Sequence, residues 1–288
     1  MSNAATPLVS AAALQAELAQ ESASCPAVLD VRYPGPGSPI DGQAQYLAGH
    51  IPGAAYLSMD DVLAAPHIPG VTGRHPLPAQ AVLQAGLRAA GVSAGRPVVV
   101  YDDWKSIAAA RAWWLLRWAG HRDVRVLDGG WQAWLASGGP QETGETRPQP
   151  GEFTVHGGSC KVVDAVGAAH LAQEGVLLDA RPANRFRGED ETIDPVAGHI
   201  PGAKSLPALS LVDEGGCFLP AVELQRRFDA VGARRGVAVG LYCGSGIQAC
   251  HAALAAAACG GVDDVAVYAG SWSEWITDPS RPVAVGLN

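Results

Sequence analysis

At 288 residues the chain is long enough for two domains of ordinary size, each burying its own core. A formal charge of −8, a sequence pI near 5.4 and the absence of any local run of Lys and Arg exclude a nucleic-acid-binding surface. No stretch reaches the ~18 apolar residues of a membrane helix, and the first residues, Met1 to Pro7, hold no basic segment followed by an apolar one. Six scattered cysteines are too sparse for a disulfide framework and form no C-x-x-C metal signature, so a soluble, cytoplasmic protein with free thiols is expected.

In chain order, Leu29-Asp30-Val31-Arg32 is followed by Gly49-His50-Ile51-Pro52-Gly53-Ala54. The run Val98-Val99-Val100-Tyr101 predicts a buried strand, 107–119 a helix and Val124-Arg125-Val126-Leu127 a second strand, after which comes Gly129-Gly130-Trp131-Gln132-Ala133-Trp134. Residues 138–158, rich in Gly, Pro, Thr and Glu, have linker composition. Beyond them the same landmarks return in the same order. Leu178-Asp179-Ala180-Arg181 and Gly198-His199-Ile200-Pro201-Gly202-Ala203 lie at one common offset from their counterparts, and Gly270-Ser271-Trp272-Ser273-Glu274-Trp275 at a slightly shorter one. The chain is therefore a tandem repeat. Its expected division is residues 1–145 and 146–288. Alternating strands and helices in each half imply an α/β fold, each domain a parallel sheet with helices on both faces.

The chemistry concentrates in Tyr242-Cys243-Gly244-Ser245-Gly246-Ile247-Gln248. Residues 237–242 read as a buried strand and 248–258, almost all alanine, as a helix that packs closely on a sheet. Cys243 then sits between strand end and helix start, where unpaired backbone amides and the helix dipole favour an anion such as a thiolate. Gly244 and Gly246 allow the loop to curl its amides inward. The alternative is a structural cysteine at a strand end, because free cysteine is among the most buried residue types. The shorter offset aligns Cys243 with Asp102, which cannot carry out thiol chemistry, so one site per chain is expected.

Paired domains opening on Leu-Asp-x-Arg, each with Gly-His-Ile-Pro-Gly-Ala, and a single Cys-Gly-Ser-Gly loop resemble the tandem rhodanese-domain sulfurtransferases over nearly the whole chain. Within that family the loop is more similar to the 3-mercaptopyruvate type than to the thiosulfate type, which has basic residues directly after the cysteine. The resemblance implies that the second domain is catalytic and the first is not. Cys243 would take a sulfane sulfur from 3-mercaptopyruvate or thiosulfate and pass the persulfide sulfur to cyanide or a thiol, a thioredoxin-like protein among the acceptors, with no metal or organic cofactor. Arg185 matches the family arginine that binds the donor anion, and Gly244, Gly246, Ile247 and Gln248 complete the donor site. The second arginine usual before Gly-His-Ile-Pro-Gly is missing from the acidic stretch 189–194, leaving Arg187 as a substitute. Ile247 and Gln248 stand where the family has Val-Thr. Ser245, His50 and Asp41 match a proton relay proposed for some members, although His199 in the second repeat argues that this histidine serves structure first.

Because no Lys or Arg occurs from Gly244 to Gly261, the loop itself favours a monocarboxylate over the thiosulfate dianion. A Cdc25-like phosphatase is excluded, since Ala249 stands where its phosphate-binding arginine would be. A thiosulfate-preferring rhodanese, or a sulfur-sensing or binding module without turnover, are the alternatives.

Overall fold

The computed structural model describes residues 6–20, 25–35, 38–263 and 265–287. Residues 1–5, part of the stretch read above for a targeting segment, lie outside them. Among the described residues no helix is long and apolar enough to cross a membrane. The chain folds as two compact units: the first holds residues up to Leu63, Pro78–Ser159 and Glu214–Phe218, the second Ala64–Leu77, Cys160–Asp213 and Leu219–Asn288. The expected split at 145/146 differs from these units in three segments: 146–159 and 214–218 belong to unit 1, and 64–77 belongs to unit 2.

Unit 1 is built on strands β1 (Leu8–Val9), β2 (Ala27–Asp30), β3 (Ala55–Tyr56), β4 (Val98–Tyr101) and β5 (Val124–Leu127), with helices α1 (Ala11–Leu18), α2 (Gly42–Ala48), α3 (Gln80–Ala89), α4 (Ile107–Trp118) and α5 (Gly130–Ala136). Unit 2 repeats the plan with β6 (Val162–Val163), β7 (Val176–Asp179), β8 (Lys204–Ser205), β9 (Val239–Tyr242) and β10 (Ala266–Tyr268), and with α6 (Ala165–Glu174), α7 (Ala183–Arg187), α8 (Ala221–Ala230), α9 (Ile247–Cys259) and α10 (Ser271–Trp275). Both sheets are wholly parallel, in the order β1-β5-β4-β2-β3 and β6-β10-β9-β7-β8.

The central strands β2, β4, β7 and β9 are buried at every residue, as parallel strands covered on both faces must be, and their apolar composition follows from that. Alanine lines much of α9, and the small side chains let the helix approach its sheet closely. The register pairs Asp179 with Tyr242 and Asp30 with Tyr101, so adjacent strands end level with each other. In unit 2 the chain leaves β7 towards β8 but leaves β9 towards β10. The crevice between the carboxyl ends of β7 and β9 is thus a topological switch point, the usual ligand site of an open α/β sheet.

The repeated landmarks are one buried device. In unit 2, Arg181 donates to Asp179 (Nη2 to Oδ2 2.6 Å) and to the Gly198 carbonyl (2.7 Å), and its guanidinium lies 4.8 Å from the Trp272 ring centre. Unit 1 repeats it with Arg32, Asp30, the Gly49 carbonyl and Trp131. Burial opposes the charge of Arg181, but Asp179 more than offsets it and holds the pKa above the ordinary arginine value. A buried charge needs such partners, which is why Leu-Asp-x-Arg, the histidine-glycine motif and the tryptophan recur together.

Candidate active site

Cys243 follows β9 directly and is 1% exposed. Its Sγ accepts the Gly246 amide at 3.1 Å, its own amide donates to Ser271 Oγ at 3.1 Å, and the Trp272 and Ser273 amides donate to the carbonyls of Cys243 and Gly244 at 2.9 and 3.0 Å. The Ser271 hydroxyl lies 4.0 Å from Sγ but only 2.9 Å from the Tyr268 carbonyl, and its single proton goes to the shorter bond. One backbone amide therefore faces the sulfur while the start of α10 clamps the loop from behind.

The two loop glycines differ: the backbone demands glycine at 246, whereas at 244 a Cβ would meet arginine side chains. Gly246 has φ 88°, and a Cβ there would stand 2.4 Å from the Ala269 carbonyl oxygen. At Gly244 the obstacle is cationic: a Cβ would lie 2.9 Å from Arg74 Nη2, 3.6 Å from Arg185 Nη1 and 3.8 Å from Arg181 Cδ. The loop neutral in sequence is thus surrounded by guanidinium groups in space. The missing Lys and Arg of 244–261 do not leave the loop without cations, because arginines arrive from other segments of the fold.

Arg185, on the short helix α7, is 9% exposed and is held by carboxylates: Nε lies 2.9 Å from Glu191 Oε2 and Nη2 lies 2.7 Å from Asp194 Oδ2. Arg74 donates through both Nη1 and Nη2 to the same Asp194 carboxylate, and its amide donates to Ser273 Oγ at 3.0 Å. Glu191 also accepts the amides of Ile193 and Asp194, at 2.9 and 3.0 Å, which folds the acidic stretch back on itself. Burial pushes the Glu191 carboxyl up, but Arg185 and those amides outweigh burial and hold it below the usual carboxylate range. Arg74 escapes sequence reasoning because it lies in the first half of the chain, with only its place just before His75-Pro76-Leu77-Pro78, opposite Leu219-Pro220 in the second repeat, to mark it. His75, 6% exposed, belongs to the same segment of unit 2.

The other expected residues separate. Ser245 (9% exposed) and Ile247 (3%) stay in the buried loop, and Gln248 is half-buried on the first turn of α9. Arg187 turns away to pair with Glu189 at 2.6 Å on the surface. His50 and Asp41 lie in unit 1, each with local work. His50 is fully buried, with Nδ1 2.9 Å from the Tyr46 carbonyl and Nε2 3.0 Å from Thr146 Oγ1, and stacks on the Tyr46 ring at 4.1 Å. His199 does the same on Phe186, at 3.7 Å, with Nδ1 2.7 Å from the Phe186 carbonyl. Asp41 caps α2 through the Gln43 and Ala44 amides. An imidazole with both nitrogens engaged inside unit 1 and no exposure serves structure there, and Asp41 serves as the cap of α2.

A model of the family described as "Rhodanese-like domain" matches residues 10–137 and 165–278. A probable 3-mercaptopyruvate sulfurtransferase of Pseudomonas aeruginosa is 48% identical over 263 residues, 90% of this chain and 92% of that protein. SseB of Mycobacterium tuberculosis, whose name places it provisionally among thiosulfate sulfurtransferases, is 46% identical over 251 residues, 85% of this chain and 87% of its own. The crystal structure of SseA from Escherichia coli, described as a 3-mercaptopyruvate sulfotransferase, superposes with a TM-score of 0.80 at 32% identity, covering 93% of this chain and all of that one.

Proposed function

We propose that this chain, which belongs to the rhodanese-like domain family, is a sulfurtransferase that carries sulfur on Cys243 and takes it from 3-mercaptopyruvate in preference to thiosulfate. Unit 2 is the catalytic domain and unit 1 the non-catalytic one. The observation that carries the reading is the Cys243 sulfur held at a switch point, accepting the Gly246 amide, with Arg74 and Arg185 beside the loop. The relatives named for 3-mercaptopyruvate and for thiosulfate support the reaction class and leave both donors in play.

The Cys243 thiolate attacks the sulfur of the donor, and the carbon–sulfur bond breaks with its electron pair on carbon. That carbon takes the former thiol proton, so pyruvate leaves and Cys243 holds the added sulfur as a persulfide anion. Arg74 and Arg185 hold the donor carboxylate through charge-assisted hydrogen bonds. The Gly246 amide stabilises first the thiolate and then the persulfide, as a preformed donor does at low solvent reorganisation. A thiol acceptor, a small molecule or a thioredoxin-like protein, or cyanide then attacks the outer sulfur and restores the thiolate. Six free cysteines among the described residues support the cytoplasmic location.

Intact mass spectrometry after exposure to each donor tests the reading. One added sulfur atom is expected, lost on addition of cyanide and absent in Cys243→Ser. An unmodified mass with both donors removes the proposal, and modification by thiosulfate alone reverses the donor ranking.

A further inference from the structure

Two carboxylates sit where a sulfurtransferase of anionic donors has least use for them. Asp194, its side chain 1% exposed, bridges Arg185, nine positions before it, and Arg74, 120 positions before it. Glu191, its side chain 4% exposed, takes Nε of Arg185 and lies 3.8 Å from Nη1 of the buried Arg181. With Asp179 already paired to Arg181, whose Cδ lies by Gly244, the three arginines face three carboxylates, and the cluster carries no net charge.

The orientation of the arginines adds to the charge count. Arg185 commits Nε and Nη2 to the carboxylates, and its Nη1 is the atom nearest the loop; Arg74 gives Asp194 both Nη1 and, at 3.4 Å, Nη2, and that same Nη2 is its atom nearest the loop. Asp194 and Glu191 thus hold both forks from the rear, with Nη1 of Arg185 and the weakly bonded Nη2 of Arg74 on the side of Gly244. Their own position is fixed, because Glu191 is bonded to the Ile193 and Asp194 amides and the Val196 carbonyl accepts Trp272 Nε1 at 2.9 Å.

We infer that Asp194 and Glu191 determine donor specificity, by holding Arg74 and Arg185 in place while cancelling the charge that a dianionic donor would need. A monocarboxylate obtains two charge-assisted bonds and adds a single negative charge to a neutral cluster. Thiosulfate obtains the same bonds but adds two negative charges to the neutral cluster, double the excess, at a site largely removed from water, where opposition between like charges is strong. This rests on the proposed sulfur transfer at Cys243, but its charge logic can be read without turnover.

The test uses the full chain carrying Asp194→Asn, which keeps the shape and removes the charge, with Glu191→Gln as a second variant should the first fail to fold. Protection of Cys243 from alkylation by inorganic sulfate reads dianion binding, and kcat/KM with each donor reads selectivity. Removing one contact charge should strengthen sulfate protection and raise the ratio of thiosulfate to 3-mercaptopyruvate kcat/KM, each by at least about tenfold. Unchanged sulfate protection, or equal changes with both donors, overturns the inference and leaves the two carboxylates as structural ties. If neither donor adds sulfur to the wild-type protein while sulfate protection still strengthens in the variant, the sulfur-transfer reading fails and the charge filter stands.

Discussion

The loop after β4 and the loop after β9 are the same piece of architecture with different occupants. In unit 1 the Asp102 carboxylate accepts the amides of Trp104, Ser106 and Ala109 at 2.8–2.9 Å, and the Trp131 amide donates to the Asp102 carbonyl at 2.8 Å. In unit 2 the Trp272 amide donates to the Cys243 carbonyl in the same way, and the Gly246 amide donates to the sulfur. Asp102 is an anion built into the chain, held in the cradle it shares with Cys243, and it closes a loop that bends through two left-handed residues, Lys105 (φ 52°) and Ser106 (φ 65°). The fold thus supplies the amides in both units, and one side chain decides whether they serve stability or a reactive sulfur.

The strongest break in this comparison is removal of the sulfur. Cys243→Ser should lower transfer by more than about a thousandfold, since the covalent intermediate is lost, while Cys250→Ser should leave most of it. Substantial transfer by Cys243→Ser would show that the loop is not the site. Next comes the turn. Gly246→Ala places a Cβ 2.4 Å from a carbonyl oxygen at φ 88°, so the amide facing the sulfur must move, and activity should fall by about a hundredfold or more. At the matching turn of unit 1, Ser106→Gly relieves φ 65° and should shift stability by less than about 1 kcal/mol. Comparable losses in both would mean that the two turns do not differ in function.

The arginines come third. Arg185→Ala and Arg74→Ala should each reduce kcat/KM by roughly ten- to 150-fold, the loss of a charge-assisted bond of about 1.5–3 kcal/mol. Steady-state kinetics that move for Arg185 alone would take Arg74 out of the donor site. The last effect is confined to unit 1 and appears in stability rather than activity. Burial raises the Asp102 carboxyl to about 6 although its backbone hydrogen bonds pull the other way. A folded pKa raised above the unfolded value of about 3.9 gives stability that is fully present below pH 4 and lost as pH rises through 6. In urea unfolding, the stability of wild type relative to Asp102→Asn should therefore increase by up to about 3 kcal/mol between pH 7 and pH 4, and parallel pH profiles would refute the shift.

Local signals in the sequence were enough for most of the frame. The strands Val98–Tyr101 and Val124–Leu127 lie where the apolar runs place them, and the helix after Cys243 begins one residue earlier than its alanine run suggests, at Ile247. The strand before it is shorter than the apolar run, Val239–Tyr242, because residue 238 meets β7 only through its carbonyl, which accepts the Val176 amide. The structural role expected of His50 from its twin His199 is visible in unit 1, where stacking on Tyr46 and two hydrogen bonds occupy the ring.

The sequence by itself determined the duplication, the α/β class, Cys243 as the candidate nucleophile and the glycines of its loop, because each is written in contiguous residues or in a pattern repeated whole. Only the tertiary structure decided the charge around the sulfur. A parallel sheet sets the ends of non-consecutive strands side by side, so Arg181 and Arg185 reach the loop from beyond β7 and Arg74 from the far half of the chain. Asp194 and Glu191 then neutralise them, a balance set by side-chain reach in space, which a search along 244–261 cannot register.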